Sequence, residues 1–241
     1  MQLFGITDRG SVRKDNQDAY ACKMDGELGL GVVCDGMGGA RAGNVASNLT
    51  VEIFSEAVWS GVLQDGTTDW AELMNAAAKT ANEVVFRRSE TDEECRGMGT
   101  TLVAAAVHGD RVSVLNIGDS RCYLITEESI TQITRDHSLV GDLVERGDIT
   151  PEEARCHPQK NLITRALGVE RMVRADLFEL ERQDGNVLLL CSDGLSNVVT
   201  DPELLYEIIH GGKLNTCCQR LLDIAITRGA PDNVTAVLMQ L

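Results

Sequence analysis

Val32-Val33-Cys34-Asp35-Gly36-Met37-Gly38-Gly39 carries an apolar run into a carboxylate and then through three glycines within four residues. The run predicts a buried strand. Glycine permits positive φ and close backbone approach, so the stretch delivers Asp35 to a point where main-chain groups of Gly36 and its neighbours crowd in. The same punctuation recurs twice: 112–117 leads into Gly118-Asp119-Ser120, and 187–191 leads into Ser192-Asp193-Gly194. Pro231-Asp232-Asn233 has the mirror arrangement, an acid just before the apolar run 234–239, and Arg13-Lys14-Asp15-Asn16-Gln17-Asp18 precedes the strand-like 19–22 in the same way. An Asp at the start of one strand reaches the same edge as an Asp at the end of its antiparallel neighbour. Asp18, Asp35, Asp119, Asp193 and Asp232 are therefore expected on one rim. Carboxylates gathered there repel and are costly to keep ionised, a cost that divalent cations remove.

The rest of the chain places these runs. Residues 1–35 alternate as strands with turns at Asp8-Arg9-Gly10 and Asp25-Gly26. Helical spacing follows the glycines: Val45, Leu49, Ile53 and Ala57, then from Asp69 a second segment with Leu73, Ala77, Ala81 and Val84, where Asp69 and Glu72 have capping-box spacing. Strands return at 100–107 and 111–117 around His108-Gly109-Asp110, and continue through 121–125 and 130–133. From Asp136 to about Gly168 the pattern is short and polar, with Ser138 and Thr150-Pro151-Glu152-Glu153 as helix starts, which reads as an insertion between strands. Strands at 172–180 and 187–191, helices opening near Asp201 and Asn215, and a last strand from Val234 complete the chain. Strict βαβ alternation is absent. Strand-rich stretches interrupted by helix pairs predict an α+β fold, a four-layer α-β-β-α sandwich of two antiparallel sheets flanked by helices, in one domain spanning 1–241.

Composition sets limits on function. The 241 residues are 43% hydrophobic and 24% charged, which is globular, and carry a net charge of −15. That charge argues against nucleic acid or an anionic membrane as principal partner, since both need a basic face. No apolar run approaches the roughly 18 residues of a span, and the first residues lack a signal peptide's basic segment and apolar core, so the cytoplasm is the expected location. The eight cysteines include no CxxC, and Cys22, Cys34, Cys122 and Cys191 are read as small core residues. Only four His occur, none at ligand spacing to another. Asp and backbone carbonyls without His or Cys suit Mg²⁺ or Mn²⁺ rather than Zn²⁺. Two such ions about 3.5–4 Å apart, bridged by a carboxylate, lower the pKa of a shared water and orient it for in-line attack on a phosphate ester. Arg13 offers a planar bidentate donor to the phosphate oxygens, though a surface pair with Asp15 or Asp18 also fits it. Gly118-Asp119-Ser120-Arg121 likewise fits either a ligand or a plain turn.

Arg13 with Asn16-Gln17-Asp18, Asp35-Gly36-Met37-Gly38-Gly39, Gly97-Met98-Gly99-Thr100-Thr101, Gly118-Asp119-Ser120-Arg121, Asp136-His137-Ser138-Leu139, Ile163-Thr164-Arg165-Ala166-Leu167-Gly168, Ser192-Asp193-Gly194-Leu195 and Asp232-Asn233-Val234-Thr235 together resemble the ordered motifs of the protein phosphatase 2C family in its compact bacterial form. The set runs from near residue 5 to the C-terminus. The resemblance implies a Mn²⁺- or Mg²⁺-dependent phosphatase acting on phosphoserine and phosphothreonine in proteins, opposing a Ser/Thr protein kinase, and expected as a monomer. It implies that Asp35 bridges two metals with the Gly36 carbonyl beside it, that Asp193 and Asp232 hold one metal, and that Asp18 holds the second through water. It further implies that Asp119 and Asp193 form a third site, that Asn233 supports Asp232, that Arg13 grips the substrate phosphate, and that 136–168 is the family's flap. One departure stands out: this chain has Ala40 where many bacterial relatives have a His proposed to protonate the leaving group. Two other readings are a catalytically weak phosphoprotein-binding regulator, which Ala40 favours and the intact Asp18, Asp35, Asp193 and Asp232 disfavour, and a two-metal hydrolase for phosphodiesters or small phosphorylated molecules, which the net charge and the family resemblance disfavour.

Overall fold

A computed structural model of the chain describes residues 1–39, 42–64 and 69–241. Ala40 lies outside the described residues. In order the elements are β1 (Gln2–Asp8), β2 (Asp18–Asp25), β3 (Leu28–Met37), α1 (Ala42–Gln64), α2 (Trp70–Thr91), β4 (Gly99–Thr100), β5 (Leu102–His108), β6 (Arg111–Ile117), β7 (Arg121–Ile125) and β8 (Ile130–Gln132). There follow α3 (Leu139–Glu145), α4 (Pro151–Cys156), β9 (Asp176–Glu181), β10 (Val187–Cys191), α5 (Asp193–Ser196), α6 (Asp201–His210), α7 (Leu214–Thr227) and β11 (Val234–Gln240). One sheet runs β1-β11-β10-β7-β8 and the other β2-β3-β5-β6-β9, with β4 extending the pairing of β3.

Because successive strand residues face opposite ways, the apolar side chains sort into three buried layers. Val33, Val103 and Val114 of one sheet meet Leu188, Leu190, Val237 and Met239 of the other in the middle layer. Leu30, Val32 and Leu115 turn outward onto Phe54, Val58, Met74 and Val85 of α1 and α2. Leu189 and Leu238 turn outward onto Leu204, Ile208, Leu221 and Ala225 of α6 and α7. This is the four-layer α-β-β-α sandwich that the sequence pattern predicts.

Several local expectations are corrected. β3 does not stop at Asp35 but runs on to Met37, held there by β4, and the sharp turn falls at Gly38 with φ 137°. In α1 the fully buried stripe is Ala46, Phe54 and Val58, one residue on from the predicted Val45, Leu49, Ile53 and Ala57, which pack only partly buried at its margin. In α2 Val85 is buried and Val84 is exposed. Asp69 does cap α2, accepting from the Glu72 amide at 3.0 Å. β9 begins at Asp176, not near 172, and Cys22 is exposed because its strand lies at the edge of its sheet.

The segment 136–168 carries α3 and α4, started as predicted by Ser138, which accepts from the Gly141 amide, and by a Thr150–Glu153 capping box with Pro151 in the first turn. It leaves and rejoins the sandwich at one place. His137 N–H donates to the Gly118 carbonyl (2.9 Å), Thr164 N–H to the His137 carbonyl (2.8 Å), and Leu167 and Thr100 exchange both backbone bonds. The base of the insertion is thus tied to the turns that carry Asp119 and to the strand beside Asp35.

Candidate metal centre

Strand parity brings the acids together. On β3, Val33 faces the opposite sheet, and Asp35 shares its side two residues on. On β2, Tyr20 packs into the same middle layer, and Asp18 shares its side. The register sets Asp18 directly opposite Asp35, an arrangement that like charges destabilise unless something intervenes. From the other sheet, continuing the inward rows Leu188-Leu190 and Met239-Val237 reaches Ser192 and Thr235. Their hydroxyls donate to one carboxylate oxygen of Asp18, Oδ2, at 2.7 and 2.6 Å. Thr235 Oγ1 is also within 2.7 Å of Thr7 Oγ1, which accepts from Asn16 Nδ2 at 2.9 Å. A chain of hydroxyls therefore stitches the two sheets at the rim.

Each acid is fixed through its backbone or its neighbours. The Asp35 amide donates to Thr101 Oγ1 (2.8 Å), and its carbonyl accepts from Thr100 Oγ1 (2.8 Å) and the Thr101 amide (2.9 Å), so Gly99-Thr100-Thr101 clamps the strand where the acid sits. Asp193 opens α5, and its Oδ2 accepts from Asn197 Nδ2 at 3.0 Å. Asp232 Oδ2 pairs with Arg13 Nη2 at 2.6 Å. That pair, rather than Asp15 or Asp18, is where the Arg13 guanidinium rests. Asn233 is nearly buried: its Oδ1 accepts from the Gln17 amide (2.8 Å), and its Nδ2 donates to the carbonyls of Arg9 (2.8 Å) and Asp15 (3.0 Å). The side chain after Asp232 thus pins both ends of the loop that carries Arg13.

Two glycines are dictated by crowding. A Cβ on Gly36 would run into the Gly43 carbonyl, and one on Gly194 into the Asn233 carbonyl. Asp119 follows Gly118, whose amide donates to His137 Nδ1 at 3.0 Å. That bond leaves the ring proton on Nε2, facing Asp176 Oδ2 at 3.0 Å, and Asp176 is held in turn by Arg165 Nη1 at 2.8 Å. Burial pushes the His137 pKa down, in keeping with a neutral ring. His137 is therefore a support for the Asp119 turn, and Asp136 is a partner of Arg121, which contacts both its oxygens at 3.0 and 2.7 Å.

Arg13, Gln17, Asp35, Gly36, Asp119, Asp193 and Asp232 line a cavity of about 220 Å³, with Asp18 behind it. Burial, then the other acids, raises these carboxyls. Asp35 lies well above the usual range, Asp193 is raised, Asp119 is pushed to about 8, and Asp18 to about 7 against the hydroxyl bonds that pull it down. The Asp35 carboxyl stands within hydrogen-bonding reach of Asp193 and holds Asp193 down in part.

Two buried oxygens, Asp18 Oδ1 and Asp193 Oδ1, find no hydrogen-bond partner among the described residues. Orphaned buried carboxylate oxygens are rare and call for a cation. With only oxygen donors present, the set fits Mg²⁺ or Mn²⁺. No three His, Cys, Asp or Glu of the described residues already stand at ligating separation about one point, and the outward oxygen of Asp232 is on Arg13.

Sequence reasoning named the acids, Arg13, Gly36 and Asn233 but missed Ser192, Thr235, Thr100, Thr101 and the His137–Asp176 support. The hydroxyls lie inside the quoted motifs, and strand parity from Leu190 and Val237 was the signal for two of them.

Residues 9–220 match the family described as Protein phosphatase 2C. The serine/threonine phosphatase stp of Listeria monocytogenes is 39% identical over 240 residues, covering 97% of this chain and 93% of that protein. A crystal structure of the Mycobacterium tuberculosis serine/threonine phosphatase PstP/Ppp superposes with a TM-score of 0.89 at 38% identity, covering 100% of this chain and 98% of that one. The catalytic domain of PstP in complex with two manganese ions superposes with a TM-score of 0.87 at 36% identity, covering 98% and 96%.

Proposed function

The chain belongs to the protein phosphatase 2C family, and we propose that it is a Mn²⁺- or Mg²⁺-dependent phosphatase that removes phosphate from serine and threonine side chains of proteins. The observation that carries this reading is the pair of orphaned oxygens on Asp18 and Asp193 among five acids gathered from both sheets. In it, Asp35, the Gly36 carbonyl, Asp193 and Asp232 would be the groups to hold one ion, Asp35 and Asp18 those for a second, and Asp119 with Asp193 those for a third. When bound, such ions supply Lewis acidity, neutralising phosphoryl oxygens and lowering the pKa of the attacking water.

The chain's own residues do the positioning. Asp18 is oriented by Ser192 and Thr235, so its free Oδ1 is the oxygen offered to the site. Arg13 stands half exposed at the mouth with one Nη on Asp232, leaving guanidinium N–H groups that have no partner among the described residues for two oxygens of a phosphate monoester. Asn233 holds the loop that carries Arg13. The net charge of −15 disfavours nucleic-acid phosphodiesters as substrates. The same reading takes phosphorylated proteins as partners, a Ser/Thr kinase as the enzyme reversed, the cytoplasm as location and a monomer as working form. No helix of the described residues is long and apolar enough to cross a membrane.

Hydrolysis of a phosphothreonine peptide, titrated with Mn²⁺ and repeated with EDTA and with Asp35→Asn, tests the reading. Turnover that requires Mn²⁺ and vanishes in both controls is expected. Mn²⁺ binding without turnover would replace it with a phosphoprotein-binding regulator.

A further inference from the structure

Two further cavities lie in sequence beside the acid-lined one, along the end of the insertion and the segment that follows it. The first, about 400 Å³, shares Met37 and Ile163 with the acid-lined cavity and runs along Val169 and Met172. The second, about 910 Å³, shares Met172, Val173 and Arg174 with the first and reaches Lys79 on α2. These shared residues set the two cavities end to end, as a groove leading away from the proposed reaction centre. Its apolar wall is unusually open, with Met172 83% and Val169 52% exposed.

The charge on this groove runs against that of the molecule. The chain carries −15 in all, yet Lys79, Arg171 and Arg174 are exposed here, and none of them makes an ion pair among the described residues. Of the two acids that line the groove, Glu83 is already paired with Arg87 at 2.6 Å, leaving Glu170. The wall is also built in advance. Asn82 of α2, buried to 2% exposure, accepts from the Gly168 amide at 2.7 Å and donates to the carbonyls of Glu170 (3.0 Å) and Arg171 (3.2 Å). A three-bond anchor from a buried amide fixes the course of 168–171, so binding a chain here orders little further backbone.

We propose that this groove seats the stretch of the substrate protein that flanks the phosphorylated residue, and that it selects an extended segment with apolar side chains for Met172 and Val169 and carboxylates for Lys79, Arg171 and Arg174. The assignment rests on the phosphatase reading above and adds substrate class to it. Basic residues at the rim steer and select an acidic partner, and their contribution falls as salt rises.

Three kinds of substrate test it: p-nitrophenyl phosphate, which has no flank, phosphothreonine peptides flanked by Asp and Leu, and phosphothreonine peptides flanked by Gly and Ser, each peptide made with the flank on either side. kcat/KM for the Asp/Leu peptide should exceed that for the Gly/Ser peptide by about 10-fold, the scale that a few exposed charge pairs provide together, mostly through KM and less at high salt. Arg171→Glu with Arg174→Glu should erase that preference and turn it toward Lys-containing flanks, with p-nitrophenyl phosphate kinetics unchanged as proof that fold and centre are intact. Equal use of both peptides by the natural protein, or a preference that survives the double substitution, overturns the proposal. Fluorescence anisotropy of the unphosphorylated Asp/Leu peptide separates the two readings. Binding that the double substitution abolishes supports the groove even where no substrate turns over, in which case only the phosphatase reading has failed; no binding and no preference refutes the groove while leaving p-nitrophenyl phosphate hydrolysis to stand.

Discussion

Replacing Asn233 by Ala should loosen the loop that carries Arg13 before it does anything else. The side chain is 4% exposed and makes three bonds, accepting from Gln17 N–H and donating to the Arg9 and Asp15 carbonyls at 2.8, 2.8 and 3.0 Å. Each such bond contributes about 1 kcal/mol net, and more where the abandoned partner stays dry, so the loss is about 3 kcal/mol. For a chain of this length that lowers Tm by about 6–12 °C. The loop supplies its own reporter, because Arg9, Arg13 and Lys14 are tryptic sites on exposed residues whose backbone is held at both ends by Asn233. Limited trypsinolysis below Tm should cut Asn233→Ala in this loop much faster than the natural protein, with KM for p-nitrophenyl phosphate rising more than kcat falls. Asn233→Asp checks the cause: it is nearly isosteric and keeps the acceptor for Gln17, but it cannot donate to the two carbonyls and adds a charge beside Asp232. It should be no more stable than the Ala variant. An Asn233→Ala protein with the natural Tm and the natural resistance of the Arg9–Lys14 bonds to trypsin would refute the account.

Three further outcomes are expected. Asp18 at about 7 and Asp119 at about 8 lie above the 3.8 of an ordinary Asp, chiefly through burial, so the metal-free folded chain binds protons that the unfolded chain releases. That stability is full below about pH 4 and is lost as pH climbs through 7 to 8. Tm in EDTA should fall from pH 5 to pH 8 and Mn²⁺ should restore more at pH 8; a flat EDTA profile contradicts this. Ser192→Ala with Thr235→Val removes both donors to Asp18 Oδ2, bonds to a charged group worth about 1.5–3 kcal/mol each, and should weaken Mn²⁺ binding by at least about 10-fold in calorimetry; unchanged binding would show that Asp18 needs no orientation. Gly194→Ala drives a methyl into the Asn233 carbonyl and should cost about 1–3 kcal/mol, whereas Gly39→Ala, with nothing within 4 Å among the described residues, should leave Tm unmoved.

Four of the acids were legible because Asp35, Asp119, Asp193 and Asp232 each sit where an apolar run meets a glycine or a Pro, a local signal, whereas Asp18 was legible only as the acid just before the strand-like 19–22. The layering was legible for the same reason: Val32, Val33 and Cys34 are all apolar because β3 is covered on both faces, by α1 and by the other sheet. What stayed hidden depends on partners far away in the chain. Ser192 and Thr235 look like ordinary polar residues until the two sheets are superposed and both prove to face Asp18. Asn82 reads as one more polar helix residue, and its role exists only because 168–171 passes over α2. The buried stripe of α1 was displaced by one residue because the helix packs against both the sheet and α2, so Ser47, Thr50 and Ser55 are buried too and the apolar periodicity is blurred. Asp232 as the partner of Arg13 could not be chosen over Asp15 or Asp18 from spacing alone.

The position of the centre follows from where the middle apolar layer ends. One step inward from the rim, Val33, Leu190 and Val237 bind the sheets together by burying hydrocarbon. At the rim itself the same inward rows present Asp35, Ser192 and Thr235, with Asp18 between them, and hydrocarbon contact is replaced by hydroxyl bonds to a single carboxylate. Several buried acids with one arginine at the mouth are a local liability, since an unpaired buried charge costs several kcal/mol. A sequence selected only for stability would fill this row with Val or Leu, as it fills the row below. The liability persists because the apolar layers beneath it supply most of the burial that holds the sheets together, so the acids can be kept close, oriented and undercompensated, which is the condition in which a divalent cation gains most by binding.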